Sequence, residues 1–226
     1  MSATEQNTIL SRSGSTVSVQ VGQVAPLGPR QVPSAFVKRP ISGRVRVQRL
    51  GLVGDQQADR RFHGGPDKAV YCYPIEHYAK WLEEYPSAEA LLVPGGFGEN
   101  LTILGFDEDD VCVGDILRIG SVMAQVTQPR TPCFKLGLRF ANMQMLRAMT
   151  RSGRSGWYLR VLEPGLVEAG ASITTIDRLT PSWSIARLNR LIRGDARPDE
   201  IAELAGLRGM RNDLRITARA GIKDSI

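Results

Sequence analysis

The chain has 226 residues, of which 42% are hydrophobic, and a formal net charge of +6, so it can bury a core large enough for one large domain, or for one domain with a small appendage. Residues 1–18 are polar without the order of a secretory signal, and no apolar run approaches the roughly 20 residues of a membrane-spanning helix, which argues against a secreted or membrane-spanning protein and predicts a cytoplasmic one. The positive charge allows an anionic partner such as nucleic acid, a phosphorylated cofactor or an acidic redox protein.

The first predicted elements are two strands. Residues 1–16 lack apolar periodicity and are predicted to be a mobile N-terminal tail. Apolar and polar side chains then alternate over Val17–Val21 and again over Arg44–Gln48, which is the pattern of half-buried strands. We therefore expect the folded domain to begin at residue 17.

A glycine-rich loop over residues 51–68 follows and contains several cations. Polar loops of this length inside compact domains are usually functional. Its two adjacent glycines would let the backbone approach a bound anion, and its histidine is the better of the two in the chain for a functional role. Glycine and charge content alone favour the alternative, a structural loop with solvated charges. The residues concerned are Arg60, Arg61, His63, Gly64, Gly65 and Lys68.

Residues 69–73 are predicted to form a short strand, and a helix is predicted from Pro74 to about Glu84, because proline is favoured at the first helical position. His77 lies away from the apolar stripe of this helix. The pattern therefore predicts a surface histidine with no chemical role.

The next segment combines a second glycine-rich loop with a hairpin. The loop at 95–100 either forms a bulge at the start of a strand or presents its backbone and the Asn100 amide to a ligand. Apolar runs at 115–119 and 122–126 flank Gly120-Ser121 with the spacing of a tight hairpin. This hairpin delivers the chain to Cys133.

The remaining pattern is a helix at 136–150 and strands at 157–162 and 171–177. Many short strands with glycine turns and few helices indicate a mainly β protein, a barrel or sandwich spanning 17–181. From residue 182 the periodicity becomes helical. We predict a small basic C-terminal unit at 182–226 composed of three helices, at 182–193, 198–204 and 210–220.

The cysteines divide into two groups. An odd number without a CxxC pair argues against a disulfide framework, and Cys72 and Cys112 lie in apolar runs typical of small buried side chains. Cys133 instead follows a strand end, with Arg130 and Lys135 close in sequence, and neighbouring cations favour the thiolate. Such a thiolate can act as a nucleophile, a redox sensor or the ligand of a soft metal whose other ligands come from a cofactor.

Seven motifs occur in a fixed order along the chain: Gly54-Asp55, Ala58–Arg61, His63–Lys68, Gly96–Leu101, Val113–Asp115, Gln128–Leu136 and Ser155–Tyr158. Together they resemble the MOSC domain superfamily, named after the C-terminal domain of molybdenum cofactor sulfurase, and most closely its stand-alone YiiM-type branch. The resemblance covers residues 17–178, and the helical C-terminal segment is similar to the three-helix extension of that branch.

This resemblance implies a MOSC-type β-barrel that binds the pyranopterin molybdenum cofactor, with Cys133 as the catalytic residue and the protein ligand to molybdenum. It implies reduction of N-hydroxylated compounds (hydroxylaminopurines, amidoximes and hydroxylamines) to amines, with electrons from a separate reductase, since no flavin, haem or iron–sulfur motif is present. The superfamily is also associated with pyridoxal phosphate binding. The residues interpreted as holding the anionic cofactor are Arg60, Arg61, His63, Gly64, Gly65, Lys68, Asn100 and Arg130.

Two alternatives stay open. Cys133 could carry a persulfide in a sulfur-transfer protein without molybdenum. The segment 199–207 resembles the first helix of a helix-turn-helix, with Ala202 and Gly206 at the usual spacing. Because Asn212 and Arg215 stand where the second helix of that motif requires apolar residues, a small packed helical unit is preferred over nucleic-acid binding. The oligomeric state is not predicted.

Overall fold

A computed structural model describes residues 12–59, 63–194 and 197–206. The strands in these ranges are β1 (Ser13–Val21), β2 (Ala25–Leu27), β3 (Val32–Ser34), β4 (Arg39–Pro40), β5 (Val45–Gln48), β6 (Gly51–Leu52), β7 (Val70–Pro74), β8 (Leu101–Leu104), β9 (Ile116–Ile119), β10 (Val122–Pro129), β11 (Trp157–Glu163), β12 (Gly165–Val167) and β13 (Ser172–Asp177). The helices are α1 (Glu76–Glu84), α2 (Phe134–Arg139), α3 (Met143–Ser152), α4 (Ile185–Ile192) and α5 (Pro198–Gly206). Two 3₁₀ turns span Pro66–Lys68 and Pro86–Leu91.

Seven of the strands form a closed barrel. Their order is β13-β9-β10-β11-β7-β8-β1, and pairing of β1 with β13 closes the ring. The pairs are antiparallel except β7 and β8, which run parallel. Strand β4 extends the sheet beyond β1, while β12-β5-β6 and β2-β3 form small separate sheets. The prediction of a β-barrel with a few helices is confirmed.

Two apolar cores fill the fold. The barrel interior contains aliphatic side chains such as Ile119, Val126 and Leu159, all nearly fully buried. Strand β7 is buried on both faces: because successive side chains point to opposite sides of a strand, Cys72 enters the barrel core while Tyr73 joins a second, aromatic core outside it. That second core packs α1, α2 and α3 against the barrel and so fixes the segment that carries Cys133.

The first strand begins four residues earlier than predicted. Ser13 pairs with Thr174 of β13, and residues 15–19 pair with β8. Serine, glycine and threonine give no periodic signal, but their backbone hydrogen bonds complete the barrel. The prediction of a mobile tail is therefore wrong for residues 13–16, and residues 1–11 lie outside the described residues.

The single helix predicted at 136–150 is two helices. Helix α2 ends at Arg139, Ala141 adopts a positive φ of 48°, and the Asn142 side chain caps α3 by accepting a hydrogen bond from the Gln144 N–H at 2.9 Å. Asparagine is a strong N-cap residue. The apolar periodicity continues from α2 into α3 and predicts one helix, but the cap at Asn142 starts a new one.

His77 is buried, contrary to the prediction of a surface residue. Its Nε2 lies 2.7 Å from Oε2 of Glu108, whose other carboxylate oxygen accepts a hydrogen bond from the Gly156 N–H at 2.7 Å. The loop that contains Glu108 covers the polar side of α1. Helical periodicity identifies the face that packs on the core but cannot detect a loop folded over the opposite face.

The first two predicted C-terminal helices are present as α4 and α5. Leu188 and Leu191 of α4 and Leu204 of α5 join the barrel core, and Glu200 of α5 accepts a hydrogen bond from Arg190 of α4 at 2.8 Å. The third predicted helix, at 210–220, lies outside the described residues. None of the helices in the described part of the chain has the length and hydrophobicity needed to cross a bilayer.

Candidate functional site

An open cleft lies where β10 leaves the barrel, next to Cys133. Segments from distant parts of the sequence line it, including the chain after β3, the polar loop after β6, the 3₁₀ turn before β7, and β11. Its principal lining residues are Phe36, Lys38, Asp55, Asp59, His63, Lys68, Tyr71, Asn100, Arg130, Cys133, Lys135 and Tyr158. A second depression adjoins it at Cys133, and Val32, Pro33, Pro132 and Phe134 add an apolar wall there.

Cys133 is positioned by the start of α2. It precedes the helix with extended backbone geometry (φ −124°, ψ 168°), and the Leu136 N–H donates to its carbonyl at 2.9 Å. Burial alone would raise the pKa of the thiol, but a hydrogen bond from His63, the charge of Arg130 and the Lys135 backbone N–H lower that pKa to about 7. The site therefore favours the thiolate, the form of cysteine that binds soft metals and attacks electrophiles.

Arg130 places a buried cation beside this sulfur. Its side chain lies between two aromatic rings, 5.4 Å from the Phe36 centroid and 5.3 Å from the Tyr71 centroid, and its Nη1 is 3.2 Å from the Met149 sulfur. Burial acts to lower the pKa of Arg130, but Tyr71, Tyr158 and Cys133 act against it and the pKa is raised. The guanidinium stays charged, and no ion pair among the described residues neutralises it with a carboxylate. A buried cation of this kind is suited to an anionic ligand.

The 3₁₀ turn at Pro66–Lys68 carries Lys68 to the cleft and is anchored from beneath. Asp67 accepts a hydrogen bond from Nε of Arg160 on β11 at 2.7 Å, and its carbonyl accepts one from the Thr127 hydroxyl of β10 at 2.7 Å. The Lys68 ammonium lies 5.7 Å from the Tyr158 ring centroid. Gly65 starts the turn with φ +88°, a conformation that favours glycine.

The other end of the cleft contains a buried ion pair. Lys38 Nζ lies 2.5 Å from Asp55 Oδ1, and burial lowers the pKa of this lysine although Asp55 acts to raise it. Asp55 also accepts a hydrogen bond from Nδ2 of Asn100 at 2.9 Å, and Oδ1 of Asn100 accepts one from the Tyr71 N–H at 3.2 Å. The network ties the polar loop after β6 to β7.

The structure brings five of the predicted site residues to one cleft: His63, Lys68, Asn100, Arg130 and Cys133. The side-chain amide of Asn100 is hydrogen-bonded to the Asp55 carboxylate and the Tyr71 N–H. It therefore positions Asp55 and Tyr71. Gly64 and Gly65 form the backbone that leads into the 3₁₀ turn. Arg60 and Arg61 lie outside the described residues.

Sequence reasoning missed four residues that shape the cleft: Phe36, Lys38, Tyr71 and Tyr158. Phe36 and Lys38 lie in a proline-rich stretch without a recognisable pattern, and Tyr71 was assigned only to a strand. Tyr158 belongs to the Ser155–Tyr158 motif, and this motif is the sequence feature that could have identified it as a site residue. The described residues contain no cluster of three or more His, Cys, Asp or Glu side chains that could hold a metal ion by themselves.

Comparison with known proteins places this site in a family. A family model for the MOSC domain matches residues 59–174, just over half of the chain and including Cys133, His63, Lys68 and Arg130. The chain belongs to the MOSC domain family. Within it, YiiM of Escherichia coli is 40% identical to the present MOSC chain over 164 residues, which is 73% of each protein.

Two further matches extend this assignment. The crystal structure of YiiM from Geobacillus stearothermophilus superposes with a TM-score of 0.78 at 33% identity and covers 92% of this MOSC chain and 98% of that one. A Gibberella moniliformis protein named "Reductase" is 38% identical over 72% of this chain but over only 29% of its own length. The predicted MOSC and YiiM-type assignment is therefore confirmed.

The geometry at Cys133 predicts the pH dependence of its reactivity in cofactor-free protein. With a pKa of about 7, lowered from the usual value, the thiolate is present above pH 7 and is lost below it. The rate of alkylation by iodoacetamide should therefore rise with pH to a midpoint near 7, and His63→Ala should move that midpoint upward. Cys112, whose pKa burial raises to about 11, should stay unmodified. A wild-type midpoint at the value of a free thiol, about 8.5, would contradict this result.

Proposed function

We propose that this MOSC protein binds the pyranopterin molybdenum cofactor in the cleft, with Cys133 as the protein ligand to molybdenum, and reduces N-hydroxylated compounds to amines. The observation that carries the proposal is the pairing of a thiol whose pKa is lowered to about 7 with a buried arginine, in one cleft that also contains a lysine. One soft protein ligand is sufficient for a metal whose other ligands come from an organic cofactor.

The residues present fit an anionic, sulfur-ligated cofactor. Arg130 is 5% exposed and has no carboxylate partner among the described residues, so a bound anion would compensate a charge that is otherwise costly to bury. Lys68 and His63 lie around the same sulfur. We expect Arg130 and Lys68 to hold the anionic part of the cofactor, with Arg60 and Arg61 as further candidates from the sequence.

The protein's own residues would prepare the site for the reaction. The hydrogen bond from His63 and the Lys135 N–H hold the Cys133 sulfur as a thiolate in a fixed position. The half-exposed ring of Phe134 and the Val32–Pro33 edge give the adjoining depression an apolar wall, which suits the organic part of a substrate. Tyr158 and Lys68 line both parts of the site.

Reduction of a hydroxylamine follows R–NHOH + 2 e⁻ + 2 H⁺ → R–NH₂ + H₂O. Ordinary side chains do not supply two electrons. The metal of the bound cofactor would supply them. Solvent reaching the open cleft would provide the protons. We propose that a separate reductase supplies the electrons. The Gibberella relative is named a reductase, and 71% of its length lies outside the part that matches this chain.

Activity on a substrate panel tests this function. Protein from cells that make the cofactor should reduce a hydroxylaminopurine, an amidoxime or a simple hydroxylamine to the amine when reduced methyl viologen supplies electrons. Protein from cells lacking cofactor synthesis is the matched control and should be inactive. Cofactor-loaded protein that reduces none of the three classes would contradict the reductase function. A persulfide on Cys133 in protein that never contains molybdenum would instead support the sulfur-carrier alternative.

A further inference from the structure

Acidic residues are absent from two long segments of this chain. Residues 6–54 contain no Asp or Glu and seven of the 29 Lys and Arg residues, and residues 116–162 contain no Asp or Glu and eight of them. The rest of the chain therefore contains all 23 acidic residues. Segregation of charge on this scale creates basic surface wherever the two segments meet.

The two segments meet beside Cys133. The turn between β2 and β3 packs on α2, where a Cβ placed on Gly28 would lie 3.2 Å from Leu138. Nζ of Lys135 donates to the Pro33 carbonyl at 3.2 Å. Helix α3 then continues the same surface, since Gly137 of α2 closely approaches Met143 at the start of α3. The β2–β3 hairpin, α2 and α3 thus form one continuous surface, called here the cationic face.

The cationic face combines exposed apolar side chains with cations. Phe134 is 51% exposed and Met143 is 48% exposed, and Arg30 and Arg147 are exposed near them on the hairpin turn and α3. Among the described residues, five cations of the two segments form ion pairs, and Arg30 and Arg147 are not among them. The five are Arg12, Lys38, Arg44, Arg154 and Arg160. Aromatic residues, methionine and arginine are the residue types enriched at protein interfaces.

We propose that the cationic face docks an acidic electron-transfer protein or domain, which is the source of the electrons in the reaction proposed above; the inference rests on that function. Phe134 follows Cys133 directly in sequence, so a redox group carried at the centre of the partner's acidic surface would lie next to the cleft. Opposite charges accelerate and orient such an association. Each N–O bond reduced would oxidise two molecules of a one-electron donor, with both protons taken from solvent.

Charge reversal on the face provides the test. The variant is Arg30→Glu/Arg147→Glu, and neither residue lines the cleft. The matched control, Arg46→Glu/Arg118→Glu, makes the same change in net charge at exposed positions of β5 and β9. Arg118 lies near the Gly120-Ser121 turn, at the end of the β9–β10 hairpin opposite to Cys133. At about 3.3 Å per residue along β10, this places Arg118 roughly 20 Å from the cleft, and Arg46 lies on the separate sheet β12-β5-β6 without lining the cleft.

The probe is a plant-type [2Fe–2S] ferredoxin, an acidic one-electron carrier. Its dissociation constant is measured by titration calorimetry with cofactor-free protein at low and high salt. The face variant should bind at least roughly tenfold more weakly than wild type at low salt and lose most of the salt dependence, whereas the control should change less than about threefold. Equal weakening in both double variants, or no binding to wild type at low salt, would overturn the proposal. Binding of a DNA oligonucleotide but not of ferredoxin would overturn it too, in favour of a nucleic-acid surface.

A second arm separates this proposal from the reductase function. In cofactor-loaded protein, both double variants should keep wild-type activity with reduced methyl viologen, which needs no docking, and only the face variant should lose activity with reduced ferredoxin. If wild type reduces no N-hydroxylated compound but ferredoxin binding still depends on Arg30 and Arg147, docking stands and the proposed reaction fails. If the face variant keeps wild-type activity with reduced ferredoxin, docking on the cationic face is refuted and the proposed reaction is unaffected.

Discussion

Replacing Cys133 with alanine is expected to give a folded protein that contains no molybdenum and reduces no N-hydroxylated compound. The thiolate is the one soft ligand that the described part of the cleft offers to a metal, and alanine removes it. The fold should tolerate the change, because the Cys133 side chain is only partly buried. The measurements are metal content by mass spectrometry, amine production and the thermal unfolding midpoint.

Cys112→Ala is the matched control for this result. Cys112 is buried and does not line the cleft; it faces the Pro181 carbonyl and forms a β-bridge with Ser184. Removing its sulfur should lower stability by about 1 kcal/mol and leave metal content and turnover unchanged. An active, metal-loaded Cys133→Ala protein would refute the ligand role.

Replacing Arg130 with methionine is expected to separate cofactor binding from stability. The free energy of unfolding of the cofactor-free variant should stay within about 1 kcal/mol of wild type, because loss of the cation–π contacts with Phe36 and Tyr71 is offset by removal of a charge that is costly to bury. Retention of the cofactor should fall more than about tenfold, since loss of a buried cation opposite an anion removes a charge-assisted contact. Urea unfolding and fluorescence of the released pterin measure the two effects.

Arg130→Lys is the control that keeps the charge. It should retain more cofactor than the methionine variant and less than wild type, because lysine cannot reproduce the planar guanidinium between Phe36 and Tyr71. Should Arg130→Met instead unfold several kcal/mol more easily and keep a full complement of cofactor, Arg130 would be a structural residue and not a binding residue.

Local patterns predicted the elements whose burial alternates along the chain. Burial alternates along β5 and β11, and the Gly120-Ser121 turn joins the two strands of the β9–β10 hairpin. Boundaries were less well predicted where the deciding contact is distant in sequence. Residues 13–16 join the barrel only through their partners on β13 and β8, and His77 is buried only because Glu108 folds over it.

The same distinction applies to the candidate site. Cys133 and Arg130 were identified because their chemistry shows within eight consecutive residues. Lys38 and Asp55 were not identified as a pair, since 17 residues separate them and their contact depends on the loops after β3 and β6. Tyr71 likewise lines the cleft because it packs in the aromatic core outside the barrel. No local sequence pattern predicts that position.

The molybdenum and pterin content of the wild-type protein tests whether the cleft beside Cys133 binds the molybdenum cofactor. The protein should be purified from cells that make the cofactor and from a matched strain that does not. We expect close to one molybdenum and one pterin per chain in the first preparation and neither in the second. Protein from the first strain that contains neither, with Cys133 present as a thiol or persulfide, would contradict it.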